Sequence, residues 1–454
     1  MTRGGRTPRR RHGSGEARTG LPKTFVRILT AAAALAASAQ WVPAQAAEPP
    51  IRLTLPEAEA LARQNNPRIS VARLNALASQ QVSREVRSAY YPTLDAYLTG
   101  VAAHEGGRIS AGFLSNPAIY DRAAGGLALN QLITDFGRTS NLVKTSTLHA
   151  QAEDERSLAT AADIVLAADE AFYGALGTQA LLQVARQTVS ARQSVSDQIG
   201  ELAASKLRSE LDASFAQVDL AEARLLLLDA ENAQKAALAG LSAVLGYPDQ
   251  KNFDLVEETV ALQAPPSDVE PLIGEALSNR PEVAALELDA RAAETFHIAE
   301  KDLVLPNVRA LGAAGGAPWR NENITPWYGA IGINVDIPIF NGFQFQARAA
   351  EADFRSQAAR EALTELKNEV ARDVRTAWLD VVAAYEKVGV AGQLLVQANR
   401  ALDLARSRYD LGLSSIVELS QAQLQQTRAE IGDAQARYGY RLAGARLHYE
   451  IGAR

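Results

Sequence analysis

Side chains able to do chemistry are scattered along the chain and form no constellation. The five histidines (His12, His104, His149, His297, His448) stand far apart, and His104-Glu105 has no second histidine four residues on, so the helix-borne pair of a zinc hydrolase is missing. Gly312, Gly315 and Gly316 lie in a strand-like stretch, not between a strand and a helix, which argues against a phosphate loop. There is no nucleophile elbow. Asp169-Glu170 and Glu257-Glu258 read as solvated helix or loop charges. The absence of cysteine excludes a disulfide framework, thiolate metal sites and a lipid-modified N-terminal cysteine. No catalytic residue, cofactor or metal is expected; an enzyme reading needs a carboxylate pair lining a closed pocket.

The first 46 residues differ from the rest. An Arg-rich stretch, Lys23 and Arg27, an apolar run from Ile28 to Ala39, and Ala44-Gln45-Ala46 follow in the order of a secretory signal peptide, so the exported chain is expected to begin near Ala47. A 12-residue apolar run is too short for a membrane helix, which needs about 20 residues. Of the 46 basic and 52 acidic side chains, eight and one fall in this leader, leaving 38 and 51 and a net charge of −13. A chain this acidic is a poor nucleic-acid ligand.

The elements are written twice. Glu59-Ala60-Leu61 precedes Pro67 as Glu275-Ala276-Leu277 precedes Pro281, and a second proline, Pro92 or Pro306, follows 25 residues later in each copy. At a shift of 206, Gln131–Arg138 parallels Ile337–Gln344, Ala171-Phe172 parallels Ala377-Trp378, Leu211-Asp212 parallels Val417-Glu418, and Leu245-Gly246 parallels Ile451-Gly452. The expected organisation is a leader over 1–46, a first repeat over 47–246, a linker or equatorial segment over 247–267 and a second repeat over 268–454.

Each copy runs from polar-apolar helix (54–90, 268–304) to strands at 93–102 and 124–134, or 307–315 and 327–340. Ile331, Ile333, Val335, Ile337 and Ile339 alternate with Ala330, Gly332, Asn334 and Asp336, giving one greasy face and one wet face. Long helices follow over 138–203 and 344–409, with returning helices over 211–245 and 415–450. Val374, Val381, Val388, Leu395, Leu402 and Tyr409 share one heptad position, and Ala377, Ala384, Ala391, Ala398 and Ala405 lie three residues on. That is the seam of a left-handed coiled coil whose partner returns after a turn at Gly412.

The fold class is therefore an α+β membrane protein of duplicated β-β-α units. Four strands of about ten residues suit a bilayer crossing but cannot close a barrel alone, since about eight strands are the minimum. Unpaired edges in lipid must be satisfied by further copies, which demands a cyclic homo-oligomer; two, three or four subunits all satisfy this. Trp319, Trp327 and Tyr328 suit an aromatic belt against outer-membrane lipid. Loops 103–123 and 317–326 are expected outside the cell, and the passages at 135–137 and 340–342 in the periplasm.

The duplication, the EAL-to-Pro openings, the IPIFNG passage and the turn segments SKLRSELDASFAQVDLAEA and YDLGLSSIVELSQAQ resemble the outer-membrane efflux proteins, the TolC-like channels, over essentially the whole exported chain. The resemblance implies a homotrimer with a shared twelve-stranded barrel and a coiled-coil periplasmic tunnel. It also implies docking onto a periplasmic adaptor and an inner-membrane pump. The implied function is a passive exit duct, in competition with an exported structural or adhesive coiled coil. A periplasmic adaptor would need lipoyl- and barrel-like modules that are not found. Carried over from the family, the constriction falls on Asp212, Tyr409 and Glu418, and adaptor docking on Lys206, Leu207, Arg208, Ser209, Gly412, Leu413, Ser414 and Ser415. Ser414 stands where some relatives carry an arginine, Lys206 replaces the turn glycine matched by Gly412, and Gln421 occupies a second acidic position. These departures point to Arg208 or Arg408 in the closing network.

Overall fold

A computed structural model describes residues 51–103, 120–257 and 262–452. The expected leader, most of loop 103–123 and residues 258–261 of the linker lie outside the described residues. The first copy comprises β1 (Ile51–Leu53), α1 (Leu55–Asn65), α2 (Pro67–Arg87), β2 (Thr93–Val101), β3 (Arg122–Thr134), α3 (Arg138–Ala204) and α4 (Glu210–Val244). The second comprises β4 (Phe253–Leu255), α5 (Glu270–Asn279), α6 (Pro281–Lys301), β5 (Asn307–Arg320), β6 (Trp327–Asp336), α7 (Gln344–Asp410) and α8 (Ile416–Glu450). α2 and α6 have 21 residues each, α3 and α7 have 67, and α4 and α8 have 35. A 67-residue helix is about 100 Å long at 1.5 Å per residue.

Proline sets the first break in each copy. Asn66 and Arg280 precede Pro67 and Pro281 and are extended, with ψ of 121° and 123°, because proline disfavours helical backbone before it. Both kinks are tied to the end of the returning helix of their own copy. Asn66 Nδ2 donates to the Val244 carbonyl at 3.0 Å, and Arg280 Nη1 donates to Glu450 at 2.6 Å. Gly246 and Gly452, at φ of 81° and 68°, end these helices against the kinks; a β-carbon on Gly246 would lie 2.7 Å from the Asn65 carbonyl oxygen. β1 and β4 pair in parallel beside the middle of α3, where Leu53, Phe172, Leu241, Leu245 and Phe253 share a core.

Two four-element layers result. The strands run in the order β2-β3-β5-β6, all antiparallel, with one edge of β2 and one of β6 unpaired. The helices form two hairpins, α3 with α4 and α7 with α8, and the hairpins meet where α3 packs on α8. There Arg446 pairs with Glu170 at 2.8 Å, and the Tyr449 hydroxyl donates to Asp163 at 2.6 Å. The seam of α7 holds, since every one of its Val, Leu, Tyr and Ala positions is buried or half-buried. The outer helices keep a second apolar stripe that this chain leaves uncovered: Leu211, Val218 and Leu225 on α4, and Val390 and Leu404 on α7.

Strand bounds depart from the sequence expectation by more than two residues at two places. β6 ends at Asp336, which pairs with the first residue of β5, so Ile337–Phe340 have no strand to bond, and Pro338 has no N–H to offer. β5 runs on to Arg320 despite Pro318, because an extra residue bulges out between Gly316 and Trp319.

Candidate functional site

The register assigns each sheet residue to a face. One face carries Leu94, Ala96 and Leu98 of β2, Leu127 and Leu129 of β3, and Trp327, Ile331, Ile333 and Val335 of β6. Leu98 and Ile331 are 93% and 92% exposed there, a greasy surface with no protein over it. The other face carries Asp95, Tyr97, Thr99, Asn130, Asn307, Arg309, Asn334 and Asp336. The bulge in β5 turns Trp319, opposite Ala123, onto the greasy face with Trp327. Tyr328 is corrected: grouped with these tryptophans by sequence proximity, it follows Trp327 directly and the period of two turns it to the wet face, opposite Gly315.

At the far end of the helices the two turns are built alike. In the first, the Leu207 N–H donates to the Leu202 carbonyl at 2.8 Å and Lys206 to Ala203 at 2.9 Å. In the second, Leu413 donates to Arg408 at 2.8 Å and Gly412 to Tyr409 at 2.9 Å. Both are helix ends closed by a left-handed residue, and Lys206, at φ of 62°, accepts the conformation that Gly412 adopts at 73°. Ser209 and Ser415 then cap α4 and α8: the Ser209 hydroxyl accepts from Leu211 N–H at 3.0 Å and Ser415 from Glu418 N–H at 3.4 Å. Asp212 and Glu418 occupy the third position of each helix, where a carboxylate favours the helix dipole. The Ser-x-x-Asp/Glu spacing is legible in the sequence as a helix start, with the serines capping and the acids placed in the first turn.

Of the expected constriction residues, Asp212 lies near enough for its charge to act on the Tyr409 phenol, while Glu418 is turned to Arg408. Tyr409 is 4% exposed, packed with Ile199, Ala216, Ile416 and Leu419. Arg208, reaching across from the first hairpin, places its guanidinium 4.3 Å from the Tyr409 ring centre and donates to the Tyr409 carbonyl at 2.7 Å. The Tyr409 hydroxyl is buried without a hydrogen-bond partner, and burial, then the nearby Asp212 charge, raise its pKa above the usual phenol range. Glu418 pairs with Arg408 at 3.2 Å on the surface. Leu207, Leu411 and Leu413 stand exposed at the tip, and Lys206, Ser209, Gly412 and Ser415 are exposed beside them; Arg208 and Ser414 are half-buried. Further from the tip the hairpins are tied again, where the Ser420 hydroxyl donates to Asp219 at 2.7 Å.

Midway along α3, Asp169 and Glu59 line a cavity of about 710 Å³ with Arg63, Tyr173, Arg441 and Tyr449. Burial, then the Glu59 charge, push the Asp169 carboxyl up to about 7. Asp169, expected from the sequence to be a solvated charge, is half-buried, because α1 folds back over α3. The cavity lining mixes these acids with Arg63, Arg280 and Arg441 and with Tyr173, His448 and Tyr449. Among the described residues no group of three or more His, Cys, Asp or Glu is placed to hold a metal, and no helix is long and apolar enough to cross a membrane.

The outer membrane efflux protein family model matches residues 60–247 and 272–453, one segment in each copy. Protein CyaE of Bordetella pertussis is 27% identical over 56% of this chain and 54% of its own length. Outer membrane protein TolC of Salmonella enteritidis is 25% identical over 27% of this chain and 25% of its own length. The chain thus spans between a quarter and about half of these relatives. Among solved structures, that of CusC, described for its folding and transmembrane channel formation, superposes with a TM-score of 0.76 at 19% identity, covering 88% of this chain and 92% of CusC.

Proposed function

Since this chain belongs to the outer membrane efflux protein family, we propose that it is the outer-membrane exit duct of a tripartite efflux or secretion system. The fold completes its barrel only as a trimer, in which three four-stranded sheets close edge to edge into twelve strands. One observation carries the reading: a four-stranded sheet with a greasy face and two open edges continues into helices about 100 Å long.

In this reading Trp319 and Trp327 anchor the outer rim of the barrel in lipid. The exposed tip residues Lys206, Leu207, Ser209, Gly412, Leu413 and Ser415, with Arg208 and Ser414, receive a periplasmic adaptor that links the duct to an inner-membrane pump. Asp212, Tyr409 and Glu418 border the constriction, and the Arg208 clasp on Tyr409 holds the two turns of one protomer together.

The purified trimer in planar bilayers tests this. A urea-resistant membrane protein with a cation-selective, divalent-blocked conductance is expected, and Asp212→Ala with Glu418→Ala lowers both selectivity and block. Protein washed from membranes by urea, with no pore in bilayers, would sink the duct. Unchanged selectivity in the double variant would leave the acids only their place in the first turn of each helix.

A further inference from the structure

On the wet face of the sheet, one row of side chains differs from its neighbours. Read across the register it is Tyr97, Gly126, Gly315, Tyr328, two tyrosines flanking two glycines. The glycines are a seat. A β-carbon on Gly315 would lie 2.5 Å from Tyr328 Cζ, and one on Gly126 only 2.1 Å from its hydroxyl oxygen. The ring of Tyr328 therefore lies down across β5 and reaches β3, two strands from its own. Side chains at 126 and 315 would force it upright. Lying down, it turns one face to the sheet and the other to the interior of the barrel, and it remains 44% exposed, with Tyr97 56% exposed. The next row toward the periplasm is Asp95, Ala128, Ala313 and Ala330, so the surface beside the ring is mostly small and flat.

We propose that Tyr328 on its glycine seat, with Tyr97, is a stacking site inside the barrel for the planar aromatic rings of solutes that pass through it. The proposal rests on the duct reading, which turns this face toward the lumen. Stacked aromatic pairs gain about 0.5–1.5 kcal/mol beyond area burial, corresponding to a preference of about threefold to tenfold for a flat ring over a saturated one.

Binding to the detergent-solubilised trimer, measured by calorimetry or saturation-transfer NMR, separates this from transport. The probes are 2-naphthalenesulfonate and its fully hydrogenated decalin analogue, which share charge and carbon skeleton. The naphthalene compound is expected to bind about threefold to tenfold more tightly. That preference should survive Tyr328→Phe and disappear in Tyr328→Leu, which keeps bulk without a π-face. Gly126→Ala should also weaken it while leaving both tyrosines present. No preference in the parent, or a preference retained in Tyr328→Leu combined with Tyr97→Leu, overturns the proposal; the tyrosine would then merely fill its seat. Bilayer conductance of the same preparation reports on the duct independently.

Discussion

Tyr409 has a buried hydroxyl with no partner, whereas its ring and carbonyl are both engaged by Arg208. A buried unpaired hydroxyl costs about 1–3 kcal/mol, and a hydrogen bond from a charged donor contributes about as much in the other direction. The turns should therefore respond to Arg208 more than to the phenol. Tyr409→Phe is expected to leave thermal stability unchanged or raise it by up to about 1 kcal/mol. Arg208→Ala should cost about 2 kcal/mol locally and raise hydrogen exchange across 202–212 and 407–416. Faster exchange in Tyr409→Phe than in Arg208→Ala would reverse the assignment. A second residue-scale expectation concerns Asp169. Its carboxyl is raised to about 7 in the folded chain, so the folded state holds the proton more tightly than the unfolded one. The stability linked to that proton is present at acidic pH, below about 4, and is lost as pH rises through 7. Asp169→Asn should flatten this slope and gain about 1–2 kcal/mol at pH 8, as read from denaturation at several pH values.

The two tip turns share one hydrogen-bond pattern but differ in the residue that must adopt left-handed backbone. A side chain there costs about 1–2 kcal/mol, so Lys206→Gly should stabilise the first hairpin by about 1 kcal/mol, measured by local hydrogen exchange, whereas Gly412→Lys should do the reverse. At this scale the sequence was most legible. Period two marks the sheet, period seven marks the α7 seam, and the shift of 206 pairs Gly246 with Gly452 and Lys206 with Gly412. What stayed hidden depends on long-range register. Nothing local says that an extra residue before Trp319 re-aims it, or that Tyr328 lies over glycines from two other strands. The end of β6 was also unreadable locally, because a strand ends where its partner does. Arg208 emerged from the sequence only as a candidate, since its contact with Tyr409 spans 201 residues.

Both layers of the molecule end in mismatched edges: β2 and β6 in the sheet, α4 and α7 in the helices. In the proposed trimer the exposed stripe of Leu211, Val218 and Leu225 on α4 is expected to face a neighbour's Val390 and Leu404 on α7, a head-to-tail contact that a cyclic assembly repeats. Leu225→Asp or Val390→Asp should leave the single-chain helices intact by circular dichroism but abolish the trimer on size exclusion, each burying a charge that nothing pairs. Trimers surviving both substitutions would place the contact elsewhere. Two open edges also fix how assembly proceeds. A pair of joined chains has as many unsatisfied edges as a single chain, so the second chain relieves nothing at the ends. The third chain forms two contacts at once and leaves none. Intermediates should then be scarce, and yield should fall off steeply with dilution. A chain with a single spoiled edge can still join through the other and stop the circle from closing, so co-expressing a β6-edge variant with the parent should deplete channels well beyond its share of the pool.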